Sequence, residues 1–286
     1  MSKDGILFYS NFEVITPLLT VALHSLRKNY SGNIHVCLGD ETPDFYKEMI
    51  KDNKDVTCEV IPHRYYKADH LRRRAKGWYE KPFVVNQHNP FDRVVFFDCD
   101  HVFYKAFDLS IFDEIEEHGL TTSVAGGLPG RHAKILAQIN RATGYNFEQV
   151  PRMSAGCVGL KKSSGLGDEW VKYFRLCRES GSLLSKLSDE FGLSIVFRKG
   201  HGKYLSDKWS FVYPKRKRLS ECPAEVDAIH FAAGRYGRGN LFSDALAQCI
   251  ADNYMGVRDN LAQCLGVNSV TNTLLNNGNF MSDYGG

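Results

Sequence analysis

The sequence predicts an α/β fold with a mixed, mostly parallel central sheet flanked by helices, and three features predict it. Strand-like and helix-like segments alternate at short spacing over residues 5–61, the pattern of strand–helix–strand units. The run Arg93-Val94-Val95-Phe96-Phe97 is apolar, β-branched and aromatic with no polar face, as in a strand buried on both sides. At its carboxyl end stands Asp98-Cys99-Asp100, where open α/β sheets place their ligands.

Taken in order, Gly5–Tyr9 is a short apolar strand ended by Ser10-Asn11. Val14–Leu26 carries apolar residues at helical spacing, with Pro17 tolerable in the first turn. Asn33–Leu38 is a second strand, Thr42–Lys51 a helix opened by Thr42 and Pro43, and Val56–Ile61 a third strand closed by Pro62. His63–Asn89 is basic and aromatic. Beyond the acidic triplet, Leu109–His118 reads as a helix, Thr121–Ala125 as a strand, Arg131–Thr143 as an amphipathic helix and Met153–Leu160 as a small-residue strand. Asp168–Ser180 and Leu183–Phe197 are helices, Asp227–Phe231 a last strand, and Leu241–Leu265 helical again. A length of 286 residues fits one large domain, expected over residues 1–266, and the Asn-, Ser- and Gly-rich residues 267–286 read as a flexible tail.

Composition excludes several classes. A formal charge of +3 is too small to argue for nucleic acid as a partner. Eight cysteines are scattered without a Cys-x-x-Cys pair, which suits reduced, buried thiols in a cytosol-like compartment. The opening Met1–Ser10 lacks the apolar length of a signal peptide, and no stretch approaches a transmembrane span. A cytoplasmic protein, bacterial or in a viral or host cytosol, is the expectation.

Two carboxylates at spacing i, i+2 share one side if the strand persists, and a tight turn also lets them converge. With no cationic side chain between them they are costly together unless a cation joins them. A hard divalent ion with open positions for phosphate oxygens is the natural occupant, a solvated strand-end turn the plain alternative. His230, at the end of Asp227–Phe231, completes an oxygen–oxygen–nitrogen set with Asp98 and Asp100. Imidazole favours Mn²⁺, with Mg²⁺ the other candidate. Directly after His230, Ala232–Gly239 forms a Gly/Arg loop containing Gly234, Arg235 and Arg238, suited to wrapping a diphosphate. One or two of Arg73, Lys76 and Lys81 would approach the same diphosphate, or else this run is a solvated helix face. Ser154-Ala155-Gly156 would let a ligand approach backbone closely, or else packs as an ordinary strand. The basic run Lys215–Arg218 is either a solvated loop or a contact for an acceptor or membrane surface.

These pieces together resemble the GT-A glycosyltransferases, in a layout similar to glycogenin and to the bacterial lipooligosaccharide galactosyltransferases of family 8. The likeness rests on Tyr9-Ser10-Asn11-Phe12, Asp98-Cys99-Asp100 after Val-Val-Phe-Phe, Ser154-Ala155-Gly156, Ser188-Asp189-Glu190, and His230-Phe231 before a Gly-rich loop. The resemblance implies a single Rossmann-like GT-A domain that takes a UDP-sugar with Mn²⁺ and transfers the sugar to a glycan or glycoprotein acceptor. It implies Asp98, Asp100 and His230 as metal ligands, with Cys99 between them against the donor, and Tyr9 and Asn11 near the nucleobase. Arg73 or Lys81 would lie near the sugar or diphosphate, Ser154 and Gly156 beside the donor, and Gly234 in the loop that closes over the pyrophosphate with Arg235 or Arg238. Asp189 holds the position of the family's acidic residue facing the sugar.

The chain departs from the family's pattern where Ser-Ala-Gly stands for Asn-Ser-Gly, where Asp189-Glu190 stands for Asp-Gln, and where an arginine replaces a late lysine. An inverting enzyme would use Asp189 or Glu190 as the base. A retaining one would use the carboxylate to stabilise positive charge at the anomeric carbon. Two other readings compete. Asp98-Cys99-Asp100-His101-Val102 also fits the motif of haloacid-dehalogenase-type phosphatases, with Asp98 as nucleophile, although that motif normally opens the chain. A catalytically silent GT-A scaffold would bind nucleotide without turnover, and the intact carboxylate pair counts against it. A sugar-nucleotide pyrophosphorylase would need a basic Gly-rich loop after the first strand, which this sequence lacks.

Overall fold

The structure, a computed structural model, describes residues 3–11, 15–62, 73–126, 137, 140–141, 152–179, 188–200, 202–212, 225–231 and 240–256. Their elements run β1 (Asp4–Ser10), α1 (Ile15–Arg27), β2 (Asn33–Gly39), α2 (Asp44–Lys51), β3 (Thr57–Ile61), α3 (Arg73–Gln87), β4 (Arg93–Phe97) and β5 (His101–Phe103). There follow α4 (Ile111–His118), β6 (Leu120–Gly126), β7 (Arg152–Lys161), α5 (Leu166–Glu179), α6 (Ser188–Lys199), β8 (Lys203–Tyr204), β9 (Phe211–Val212), β10 (Ala228–His230) and α7 (Asn240–Ala251). Seven strands hydrogen-bond in the order β3-β2-β1-β4-β7-β6-β8, and three more in the order β5-β10-β9. The seven-stranded sheet is mixed: β2 and β3 pair in parallel, as do β6 and β8, while β6 and β7 are antiparallel. No helix among the described residues is long and apolar enough to cross a membrane.

The chain divides into two compact units. One comprises residues 1–7, 63–96 and 109–205. In it Asp4 and Arg93 form a two-pronged ion pair, Nε to Oδ1 at 2.6 Å and Nη2 to Oδ2 at 2.7 Å, and Arg93 Nη1 also donates to the Phe112 carbonyl. The fork explains why an arginine opens a strand that is otherwise wholly apolar: its stem packs while its head is satisfied. Tyr79 and Phe83 of α3 pack on Val171 and Phe174 of α5, the two Phe rings meeting edge to face. Gly192 lets α6 lie against the α5 backbone, where an added Cβ would sit 2.7 Å from the Phe174 nitrogen.

The second unit comprises residues 8–62, 97–108 and 206–286. Helix α1 is buried on all sides from Leu18 to Leu26, with Leu18, Leu19, Val21, Ala22, Leu23 and Leu26 joined by the polar Thr20, His24 and Ser25. Phe97, Phe103 and Phe107 meet edge to face, with Phe8 tilted against Phe97 and Tyr30 edge-on to Phe107. Asp252, just past α7, binds Lys28 Nζ at 2.6 Å and His24 Nε2 at 2.8 Å, and accepts from Gln248 at 2.7 Å.

Several expectations are corrected. Thr42 does not cap α2: Pro43 takes the cap position without a side-chain bond, and the Thr42 hydroxyl donates to the Ser10 carbonyl. The last helix stops at Ala251, because Asn253 (φ 47°), Met255 (φ 54°) and Gly256 (φ 69°) take left-handed conformations that no helix continues through; residues 257–265 of the expected Leu241–Leu265 helix lie outside the described residues. The strands β8 and β9 were not expected. Most of the Arg131–Thr143 helix, residues 183–187 of the Leu183–Phe197 helix, the Lys215–Arg218 run and the expected tail at 267–286 lie outside the described residues.

Gly192→Ala should lower unfolding free energy by about 1–3 kcal/mol, the usual cost of overpacking, in urea titrations followed by circular dichroism. A change within a few tenths of a kcal/mol would show that the two helices separate freely at this point. Hydrogen bonds from Lys28, His24 and Gln248 hold the Asp252 carboxyl down at about 2, against 3.8 ordinarily. A depressed carboxyl contributes stability that is whole above its unfolded value and is lost as pH falls towards its folded one. Wild type should therefore melt above Asp252→Asn at neutral pH, and the gap should close as pH falls from about 4 to about 2.

Candidate active site

The site begins where β4 runs out. Phe97 is the last buried strand residue, and Asp98–Asp100 turn the chain directly into β5. Three hydrogen bonds fix that turn within one unit. The Cys99 thiol donates to the Tyr9 carbonyl at 3.2 Å, the Phe231 amide donates to the Asp100 carbonyl at 2.9 Å, and His101 Nδ1 donates to the Asp98 carbonyl at 2.9 Å. Cys99 is therefore buried inward while the two aspartates on either side remain partly exposed.

His230 arrives from a distant part of the chain by strand pairing. β10 runs antiparallel to β5, with His230 directly opposite His101. Its Nε2 lies 3.1 Å from Asp100 Oδ1 and 3.8 Å from Asp98 Oδ2, and its side chain is only 6% exposed. The turn, not a continued strand, is what brings each of the two carboxylates within 4 Å of the His230 ring nitrogen. Two carboxylate oxygens and one imidazole nitrogen at these separations suit a divalent cation with room for further oxygen ligands.

His101 was not singled out in the sequence as a site residue. Its ring is fully buried and lies parallel to the His230 ring, centroids 4.2 Å apart and planes 12° apart. It offers a nitrogen close to the ligand atoms of Asp100 and His230, all within 4.8 Å of one another. Both its nitrogens are engaged, however, Nδ1 with Asp98 and Nε2 with the Ser210 hydroxyl at 2.9 Å. His101 is thus a positioning residue: it holds the Asp98 backbone and backs the His230 ring. The signal for it was adjacency to the acidic triplet; its pairing with His230 depends on strand register, which the sequence does not display.

Tyr9 and Asn11 belong to the same unit as the acidic turn, and both are buried. Tyr9 is tied to it through the Cys99 thiol, and Asn11 lies over Gly39, where any Cβ would collide with its amide. A glycine is required there for close approach.

The remaining expected residues fall elsewhere. Asp189 and Glu190 open α6 in the other unit. Asp189 is buried, and its carbonyl accepts the Trp170 indole N–H at 2.9 Å. Burial, reinforced by the nearby Asp189 carboxylate and opposed by Arg178, pushes the Tyr79 phenol upwards. Glu190 Oε2 forms an ion pair with Arg152 Nε at 2.9 Å. Ser154 and Gly156 lie on β7, where the Ser154 hydroxyl accepts the Gly156 amide and the Ser154 carbonyl accepts Thr122. Lys81 is buried in α3, its ammonium 6.0 Å from the centre of the Phe96 ring. Arg73 opens α3, though its side chain is not described; Gly234, Arg235 and Arg238 lie outside the described residues.

No protein-family model matches the sequence, and no curated protein is similar to it at the sequence level. Solved structures do match. Mouse xyloside xylosyltransferase 1 in its apo form aligns over 82% of this chain and 98% of its own, with TM-score 0.54 and 13% identity. Galactosyltransferase LgtC, in complex with donor and acceptor sugar analogues, aligns over 80% and 87%, with TM-score 0.52 and 14% identity. The bifunctional glycosyltransferase WbbM aligns over 90% of this chain at TM-score 0.57 and 11% identity, and the chain spans about half of WbbM, 51%. The chain has the GT-A glycosyltransferase fold. In this GT-A chain the acidic turn follows a central strand, β4, whose neighbours in the sheet are β1 and β7.

Proposed function

We propose that this GT-A chain is a metal-dependent glycosyltransferase that moves a sugar from a UDP-sugar to an acceptor hydroxyl on a glycan or glycoprotein. The observation that carries the reading is the convergence of Asp98, Asp100 and His230 at the end of β4. Support also comes from the fold neighbours, one a xylosyltransferase and one a galactosyltransferase crystallised with donor and acceptor analogues.

In this reading Asp98, Asp100 and His230 hold Mn²⁺ or Mg²⁺, with Mn²⁺ preferred because of the imidazole. The ion supplies Lewis-acid neutralisation of the departing diphosphate. His101 keeps the Asp98 carbonyl and the His230 ring in place, so that the ligands need little rearrangement when an ion enters. Tyr9 and Asn11 serve the nucleobase, and Ser154, Gly156, Lys81 and Arg73 the sugar and diphosphate. Gly234, Arg235 and Arg238 follow His230 closely in sequence, and guanidinium forks there would close over the pyrophosphate and keep water out. Glu190 pairs with Arg152, and Asp189 is the acid proposed to face the sugar.

The test is UDP release from a panel of UDP- and GDP-sugars with Mn²⁺, Mg²⁺ or EDTA. Slow, EDTA-sensitive hydrolysis of one donor supports the reading and names the sugar; release of phosphate from an aryl phosphate, with every donor untouched, would transfer the role of nucleophile to Asp98 and sink it. Asp100→Asn should abolish donor turnover while leaving the melting temperature near that of wild type. His101→Phe keeps a ring against His230 but loses both hydrogen bonds. It should weaken Mn²⁺ binding about 10–100-fold in titrations followed by electron paramagnetic resonance, the usual effect of losing an outer partner. Affinity equal to wild type would remove His101 from the site.

A further inference from the structure

A second cluster of ligand-type side chains lies apart from the acidic turn, on β2 and β3. The two strands pair in parallel with His35 opposite Thr57 and Cys37 opposite Glu59. The two-residue period places His35 and Cys37 on one face of β2. One ligand atom from each of His35, Cys37 and Glu59 lies within 4.8 Å of the others. His35 and Cys37 are buried, whereas Glu59 is exposed on β3, the last strand of the sheet.

The imidazole is held in one form. The Thr57 hydroxyl lies 3.3 Å from the Ile34 carbonyl, which can only accept, so Thr57 donates there. It is then an acceptor for His35 Nδ1–H at 2.7 Å. This leaves Nε2 as the ring nitrogen that can ligate. Fixing the tautomer from the far side of the ring is how proteins orient a metal-binding histidine. Burial, with the Glu59 carboxylate alongside, pushes the Cys37 thiol far up, so without a cation Cys37 is neutral. A bound cation reverses that balance by expelling the thiol proton to solvent.

We propose that His35, Cys37 and Glu59 form a second metal site, of zinc type, that clasps edge strand β3 to β2. Nitrogen, thiolate sulfur and carboxylate oxygen together select a borderline-soft ion, in contrast to the oxygen-rich set at the acidic turn. Three protein ligands leave a fourth tetrahedral position for water. The site is independent of the proposed transferase chemistry.

Cobalt(II) chloride titrated into the full chain reports on it directly, because a cobalt–thiolate bond gives a near-ultraviolet charge-transfer band that the Asp/Asp/His set cannot produce. Wild type, Asp100→Asn and Cys58→Ser should all show the band; Cys37→Ser should not, and zinc should displace it. Thr57→Val and Glu59→Gln alter exposed positions and should keep the fold. Each should weaken cobalt binding by about tenfold or more, Thr57→Val through loss of the histidine's outer partner. These two variants decide the matter if Cys37→Ser does not fold. Absence of the band in wild type, its survival in Cys37→Ser, or unchanged affinity in both Thr57→Val and Glu59→Gln would overturn the proposal.

Discussion

The constraint on which the site depends is that the backbone of the Asp98–Asp100 turn is pinned. Neighbouring carboxylates of like charge repel, and a loose turn would relieve this by swinging one of them further into solvent. Here the turn is pinned at three consecutive residues: Asp98 through its carbonyl to His101, Cys99 through its thiol to Tyr9, and Asp100 through its carbonyl to Phe231. With the backbone fixed, the charges are answered where they stand. His230 is the group brought to them, and a divalent cation is the species that would complete the balance.

The need to bring His230 there accounts for the small sheet of β5, β10 and β9. These strands are only two or three residues long, yet their register sets His230 against His101, and the chain beyond β10 carries Phe231 onto the turn. The aromatic rings of Phe97, Phe103 and Phe107 brace the same corner, with His101 edge-on to Phe97. Packing and hydrogen bonding therefore act on one ring: His101, beneath His230, is held by hydrogen bonds at both nitrogens and by aromatic contact at its edge.

How much of this was legible follows from what local sequence encodes. The buried strand at Val94–Phe97, helix α1 and the acidic triplet are written in consecutive residues, so pattern alone located them. His230 was legible because it closes a short apolar strand before a Gly/Arg loop. The role of His101 was not, since it arises from cross-strand register with a residue far along the chain. Nor was the pairing of Glu190 with Arg152, which joins α6 to β7 through an ion pair that no spacing rule anticipates. The end of α7 was misread for a different reason. Apolar spacing continues past Ala251, but Asn253 and Met255 adopt positive φ, a backbone choice that periodicity does not register.

The same period of two operates in both ligand clusters with opposite results. On β2 an unbroken strand keeps His35 and Cys37 on one face, and the neighbouring strand supplies Glu59 in register. At Asp98–Asp100 the strand has ended, and a pinned turn replaces the pleat as the device that brings alternate residues together. The pleated site gathers soft and intermediate donors from a buried face, where desolvation keeps an unmetallated thiol protonated. The turn gathers two partly exposed carboxylates at the end of β4, where a hard divalent ion held by them would keep open positions for phosphate oxygens. If both proposed sites bind, separation by donor type would give each location its own ion preference, because thiolate selects against Mn²⁺ and Mg²⁺ while an oxygen-rich set with open positions accommodates them.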